Sequence, residues 1–215
     1  MLPKFAFEYM DGGCNEDVNL HKNTKEIRDA EVIPRYLKVH KGSSLKTELF
    51  GYEWDAPFGI APIGLQGLIW PDAPAILAKA ATKHNIPFCL STISTESIEE
   101  IGRIHKDGAP PWYLLYHPTE NDLRDKLIKR CENSGFDTLI VLCDVPTFGF
   151  RPRDIRNGLS MPPRWTLPNI WEILKHPTWS LNTLKHYGFA GPDFKILRPY
   201  MPPGLDMAKL GEYMN

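Results

Sequence analysis

Four short apolar runs, separated by helical patterns, constrain this chain more than any other feature. They are Phe58–Ile63, Pro87–Ser91, Pro111–Tyr116 and Thr138–Cys143. Runs this short, bounded by turn residues and without polar alternation, predict buried strands of a parallel sheet. Between the first two, Asp72 predicts the cap of a helix to about His84, with Ile76, Leu77, Ala80 and Ala81 on one face. Ser97 and Glu100 have the spacing of a capping box. Thr119 predicts the cap of a longer helix with the stripe Leu123, Leu127, Ile128 and Cys131, closed by Gly135 in the left-handed position. The order β-α-β-α-β-α-β with short connections defines an α/β chain with right-handed crossovers.

The flanks differ from this middle section. Residues 1–54 predict a helix end at Phe5–Met10, a polar stretch and a β-ribbon at Lys46–Trp54. Residues 55–143 hold the four repeating units. Residues 144–215 carry ten of the chain's 20 prolines, with helical periodicity only at Leu167–Lys175 and Trp179–His186, which predicts a long excursion. The fourth run leads directly into Asp144, a Pro/Gly turn and Arg151. An α/β barrel builds its reaction mouth this way, from side chains at the C-terminal strand ends. A closed eight-stranded barrel needs about 250 residues, and 144–215 offers no fifth run of similar quality. The expectation is therefore the first four units of a (β/α)₈ barrel plus a Pro-rich excursion. Open sheet edges in such a fragment are expected to self-associate, pair with a complementary half, or aggregate.

Composition narrows the partners. With 25 basic and 26 acidic residues the net charge is −1, which argues against a nucleic acid. No apolar run approaches the roughly 18 residues of a membrane helix, and no signal peptide pattern opens the chain, so a cytoplasmic location is expected. The four cysteines form no Cys-x-x-Cys pair, and Cys89 and Cys143, inside apolar runs, are expected as buried thiols. The seven histidines are scattered, with no pair at ligand spacing, so no metal site is expected.

Six motifs then fall in one order: Tyr9-Met-Asp-Gly-Gly13, Pro34-Arg-Tyr-Leu37, Ile60-Ala-Pro-Ile-Gly64, Leu90-Ser-Thr92, Trp112 to Tyr116, and Asp144-Val-Pro-Thr-Phe-Gly-Phe-Arg151. From Leu2 to about Pro163 the chain resembles the N-terminal half of the FMN-dependent α-hydroxy acid dehydrogenase/oxidase family. The Pro-rich tail is similar to the excursion after the fourth strand in that family's lactate and mandelate enzymes. The resemblance implies FMN across the barrel mouth and oxidation of a small, lactate-like 2-hydroxy acid to the 2-keto acid. It implies a substrate-carboxylate clamp of Tyr9, Tyr116 and Arg151, which suits a guanidinium fork and phenol donors. It implies a flavin cradle of Pro62, Ile63, Gly64 and Ser91, and a role for Asp144 in supporting a catalytic imidazole.

The sequence also departs from the family pattern. Leu114, Leu142 and Ile63 stand where the family usually has Gln, Thr and Thr. None of the seven histidines is followed by Gly, as the family's catalytic His is, so the chain alone is expected to be inactive and to hold FMN weakly. Plainer readings stand beside these. Tyr9 and Tyr116 also suit half-buried aromatics, Arg151 a structural partner of Asp144 or Asp154, and Ser91 a turn. The competing function is a non-catalytic half-barrel that acts as an interaction or dimerisation module.

Overall fold

The computed structural model describes residues 1–39, 42–143, 150–159 and 166–201. The chain opens with α1 (Lys4–Asp11) and α2 (Val18–Asp29), then a hairpin of β1 (Thr47–Leu49) and β2 (Tyr52–Trp54). The hairpin's two turn residues, Phe50 and Gly51, both have positive φ (53° and 79°), the geometry that matches the twist of paired strands. Trp54 and Phe50 meet Trp112 edge-on, with ring centroids 6.1 and 5.5 Å apart. Trp112 is the first residue of its strand, so the hairpin plugs the N-terminal end of the sheet.

The sheet is parallel, in the order β3 (Cys89–Ser91), β4 (Trp112–Leu115), β5 (Thr138–Val141). Cys89 pairs with Trp112, and Trp112 with Thr138. The expected strand at Phe58–Ile63 is reduced to one parallel bridge, Ile60 to Phe88. Ile60 N donates to Pro87 O (2.8 Å) and Cys89 N to Ile60 O (3.0 Å). Pro57 and Pro62 have no N–H to donate, which limits the ladder on both sides of that bridge.

Helices cover the outer face. These are α3 (Gln66–Ile69), α4 (Ala73–Lys83), α5 (Ile98–Ile104) and α6 (Asn121–Asn133). Phe88, Leu90, Tyr113 and Leu115 of the sheet pack with Ala78, Ala81, Ile98, Ile101, Leu127 and Cys131 in one core. The buried face of α4 is Pro74, Ala75, Ala78 and Ala81, rotated from the expected one, and Ile76 is exposed. Small side chains allow α4 to approach its neighbours more closely than an isoleucine face would. Asp72 does not cap α4 with its side chain. Its φ of 61° is left-handed, whereas a capping residue is extended. Ser97 does cap α5, accepting from Glu100 N at 3.2 Å, but the box is half-formed because Glu100 turns to Arg103 instead. The cap position of α6 is Glu120, with Thr119 one residue earlier, while the predicted stripe is buried and Gly135 has φ of 80°.

Two further expectations are corrected. The strand β5 is only alternately half-buried, with Leu139, Val141 and Cys143 exposed. No listed element contact places a helix over its outer side among the described residues, as α4 to α6 cover β3 and β4. The Pro-rich segment is packed structure. It contains α7 (Pro152–Arg156), α8 (Leu167–Lys175), α9 (Pro177–Tyr187) and two 3₁₀ turns, Gly188–Ala190 and Arg198–Tyr200. Trp179, Phe194, Ile196 and Leu197 join the main core. Trp179 Nε1 donates to Leu68 O (3.0 Å) and its ring meets Phe5 edge-on. Lys195 binds both oxygens of the buried Glu96, and Arg130 reaches Glu99 and Ile196 O together.

Candidate functional site

Tyr9 lies in α1, and its hydroxyl donates to Gly64 O, 55 positions away, at 3.3 Å. Burial pushes its phenol pKa up to about 12, partly opposed by the nearby Arg151 cation, while Tyr116 is close enough to add to the rise. The phenol therefore stays protonated, and a donor, throughout the physiological range. Arg151 precedes α7. Its guanidinium lies 5.1 Å from the centre of the Tyr9 ring, and Nη2 donates to Tyr9 O (2.6 Å) and Gly12 O (3.3 Å). Its Nε donates to Asp154 Oδ2 at 2.6 Å. Asp154 is buried and its Oδ1 has no partner among the described residues; burial is the leading cause that raises its pKa, opposed by Arg151.

The same end of the molecule is held by a polar clasp between α1 and α7. Arg153 pairs with Asp11 and Asp17, Asn157 with Glu8, and Asn15 N donates to Phe150 O. Tyr116 follows β4 directly. Its backbone N donates to Thr92 Oγ1 (3.1 Å), and that hydroxyl donates to Leu114 O (2.6 Å). Thr92 thus locks the C-terminal ends of β3 and β4 together. Neither Thr92 nor the unpartnered oxygen of Asp154 was evident in the sequence; the one available signal was the polar run Ser91–Glu96 straight after an apolar strand, all of it buried except the apolar Ile93, itself buried too.

The other predicted positions divide. Ser91 is buried and its hydroxyl accepts from Ile93 N at 3.4 Å, within its own turn. A Cβ on Gly64 would lie 2.5 Å from Ile93 Cδ1, so close packing against Ile93 already requires glycine there. Ile63 is exposed, and Pro62 lines a cleft of about 320 Å³ bordered by Trp54, Cys89, Trp112 and Ile140. Asp144 lies outside the described residues.

A parallel sheet with donors and a cation gathered at its C-terminal end is the layout of an α/β-barrel enzyme mouth. The family follows from comparison: the chain belongs to the FMN-dependent dehydrogenases, whose family model matches residues 1–213. It is 34% identical over 215 residues to a putative L-lactate dehydrogenase of Mycobacterium tuberculosis, covering 99% of this chain and 49% of that protein. It is 32% identical over 185 residues to (S)-mandelate dehydrogenase of Pseudomonas putida, covering 86% and 46%. Among solved structures, mandelate oxidase with (S)-4-hydroxymandelic acid matches with a TM-score of 0.70 at 31% identity, over 75% of this chain and 44% of that one. A structure described as monotopic membrane protein (S)-mandelate dehydrogenase matches with a TM-score of 0.86 at 28% identity, over 100% and 56%. The chain spans about half the length of the curated relatives it matches. Its sheet is correspondingly part of a barrel, open among the described residues.

FMN is the cofactor of this family. The described residues do not make a flavin site by themselves. Ile93 fills the bare face of Gly64, the Ser91 hydroxyl is engaged in its own turn, and Leu114 and Leu142 offer no polar side-chain atom. No chemical step is therefore assigned through the flavin.

Proposed function

We propose that this chain supplies the carboxylate-binding side of an active site that oxidises a lactate- or mandelate-like 2-hydroxy acid to the 2-keto acid. The observation that carries the reading is the Tyr9–Arg151 pair, drawn together from 142 positions apart beside Gly64. A guanidinium with a phenol donor beside it suits a carboxylate better than any neutral group. Arg151 Nη1 has no hydrogen-bond partner among the described residues, so it is the N–H a carboxylate reaches first. The carboxylate then competes with Asp154 for the rest of the fork. Tyr9 and Tyr116 orient it, and the α1–α7 clasp fixes the cation against α1. We place the proton acceptor and the flavin phosphate anchor in a complementary part of the barrel. The exposed Leu139 and Val141 of β5 support a further barrel segment pairing at that side.

A second reading has its own observation. Every hydrogen bond of Arg151 described here is internal, which suits a staple between α7 and α1 in a non-catalytic half-barrel. Calorimetric titration of the chain with (S)-mandelate and with L-lactate separates the two. Arg151→Lys keeps the charge and loses the fork, and is expected to weaken carboxylate uptake about tenfold or more. No uptake by the unaltered chain, or uptake indifferent to Arg151→Lys, would leave only the staple.

A further inference from the structure

We propose that α8, α9 and the 3₁₀ turn Gly188–Ala190 form a docking surface for an anionic membrane. The proposal is independent of the carboxylate reading. Leu167, Trp171 and Leu174 recur at the spacing of one helical face, and they are 84%, 60% and 65% exposed. The same helix packs Ile173 against the core, so its outward apolar face is not a sign of a loosely placed element. The next helix repeats the arrangement. It buries Trp179 and Thr183 and leaves Leu181 and Leu184 outside, and Phe189 follows at 78% exposure.

Charge decides what kind of partner this surface fits. Between residues 166 and 190 the one acidic side chain is Glu172. It is already engaged, accepting from Lys4 N and pairing with Lys175 at 3.2 Å. Lys175 also lies 5.4 Å from the centre of the Trp171 ring, and Lys185 with His186 closes α9. Large apolar side chains, a tryptophan and lysines on neighbouring turns are the composition of helices that lie in a membrane interface. No helix among the described residues is long and apolar enough to cross a membrane, so contact would be from one side. The surface is also firmly mounted. Trp179 is bonded to Leu68 O, and the chain after α9 is pinned by Lys195 on Glu96 and Arg130 on Ile196 O. A second copy of the chain would bring the same lysines against each other, whereas phosphatidylserine complements them.

The test is co-sedimentation of the full chain with phosphatidylcholine vesicles containing about 30% phosphatidylserine, and with phosphatidylcholine alone. The expected result is binding to the anionic vesicles at least about tenfold stronger than to the neutral ones, weakened by added salt. The double substitution Trp171→Glu and Leu174→Glu is expected to lower that binding about tenfold or more without shifting the melting temperature, because both side chains already face water. Phe189→Ser, on a separate element, is expected to act in the same direction. A chain that stays in the supernatant with both vesicle types overturns the proposal. So does sedimentation undiminished by both sets of substitutions. An oligomer in light scattering that these substitutions dissolve, without vesicle binding, would make the surface a contact between copies.

Discussion

On the outer face of the parallel sheet, Phe88, Leu90, Tyr113 and Leu115 are sealed beneath helices of the same chain. On the inner face, Cys89, Trp112 and Ile140 border an apolar cleft of about 320 Å³ that the hairpin closes only at its lower end. Alternating residues of the same three strands face these two environments, because side chains in a strand point to opposite sides in turn. The outer face is therefore stabilised by what the chain contains. The inner face is apolar and cleft-lined, as expected for strands that line a barrel. The clamp residues sit where the two faces end, at the strand C-termini, and are held there by polar contacts rather than by burial of apolar area. Stability and the candidate site thus draw on different parts of one sheet.

The largest expected effect tests that division directly. Leu127, fully buried in α6 over the outer face, is expected to cost about 2–5 kcal/mol as Leu127→Ala, whereas the half-exposed Val141 should cost under about 1 kcal/mol as Val141→Ala. Denaturant unfolding of both variants measures the contrast; equal losses would mean that β5 is covered in solution.

A smaller, pH-dependent effect belongs to the outer face alone. His105 packs against Phe88 with ring centroids 5.8 Å apart, and its Nδ1 is bonded to Ala109 O at 3.0 Å. Burial lowers its pKa below the usual 6.5, only partly offset by the Ala109 carbonyl. The folded chain therefore holds a neutral imidazole where the unfolded chain would take up a proton. Stability is full above about pH 6.5 and is lost as the pH falls through the lowered folded value, by at most about 1.4 kcal/mol per pH unit. Melting temperatures at about pH 7.5 and about pH 5 should diverge in the unaltered chain more than in His105→Gln. A parallel fall in both would assign the pH dependence to other groups.

The smallest effect is chemical and concerns the inner face. Burial pushes the thiols of Cys89 and Cys131 up to about 12, while Cys14 and Cys143 are exposed. Iodoacetamide should modify Cys14 and Cys143 and spare the other two at neutral pH. Cys89 lines the cleft, so modification of Cys89 as fast as Cys143 would show that the inner face opens to solvent.

Much of the outer layer was legible in the sequence, because it rests on local signals. The stripe of Leu123, Leu127 and Cys131 and the left-handed Gly135 needed no tertiary information. The misreadings have tertiary causes. Cys143 sits in an apolar run, but no listed element contact places a helix over the outer side of that strand. Ile76 was expected inside, yet close approach favoured the alanine face of α4. The helix α2 buries none of its residues and so leaves no apolar stripe to read. At the site, Tyr9, Tyr116 and Arg151 were reached through motif resemblance. The Arg151–Asp154 pair was one of two plain alternatives, and the unpartnered oxygen of Asp154 depends on burial that no spacing reveals.

Whether the Tyr9–Arg151 cluster receives a carboxylate is most directly tested by nuclear magnetic resonance of the arginine side-chain N–H groups. In the free chain the Arg151 Nε–H should show the signature of its bond to Asp154 and disappear in Arg151→Lys. Addition of (S)-mandelate should move that resonance while those of Arg103 and Arg130, both occupied on exposed or distant pairs, stay in place. An Arg151 resonance indifferent to saturating mandelate would contradict a carboxylate site at this position.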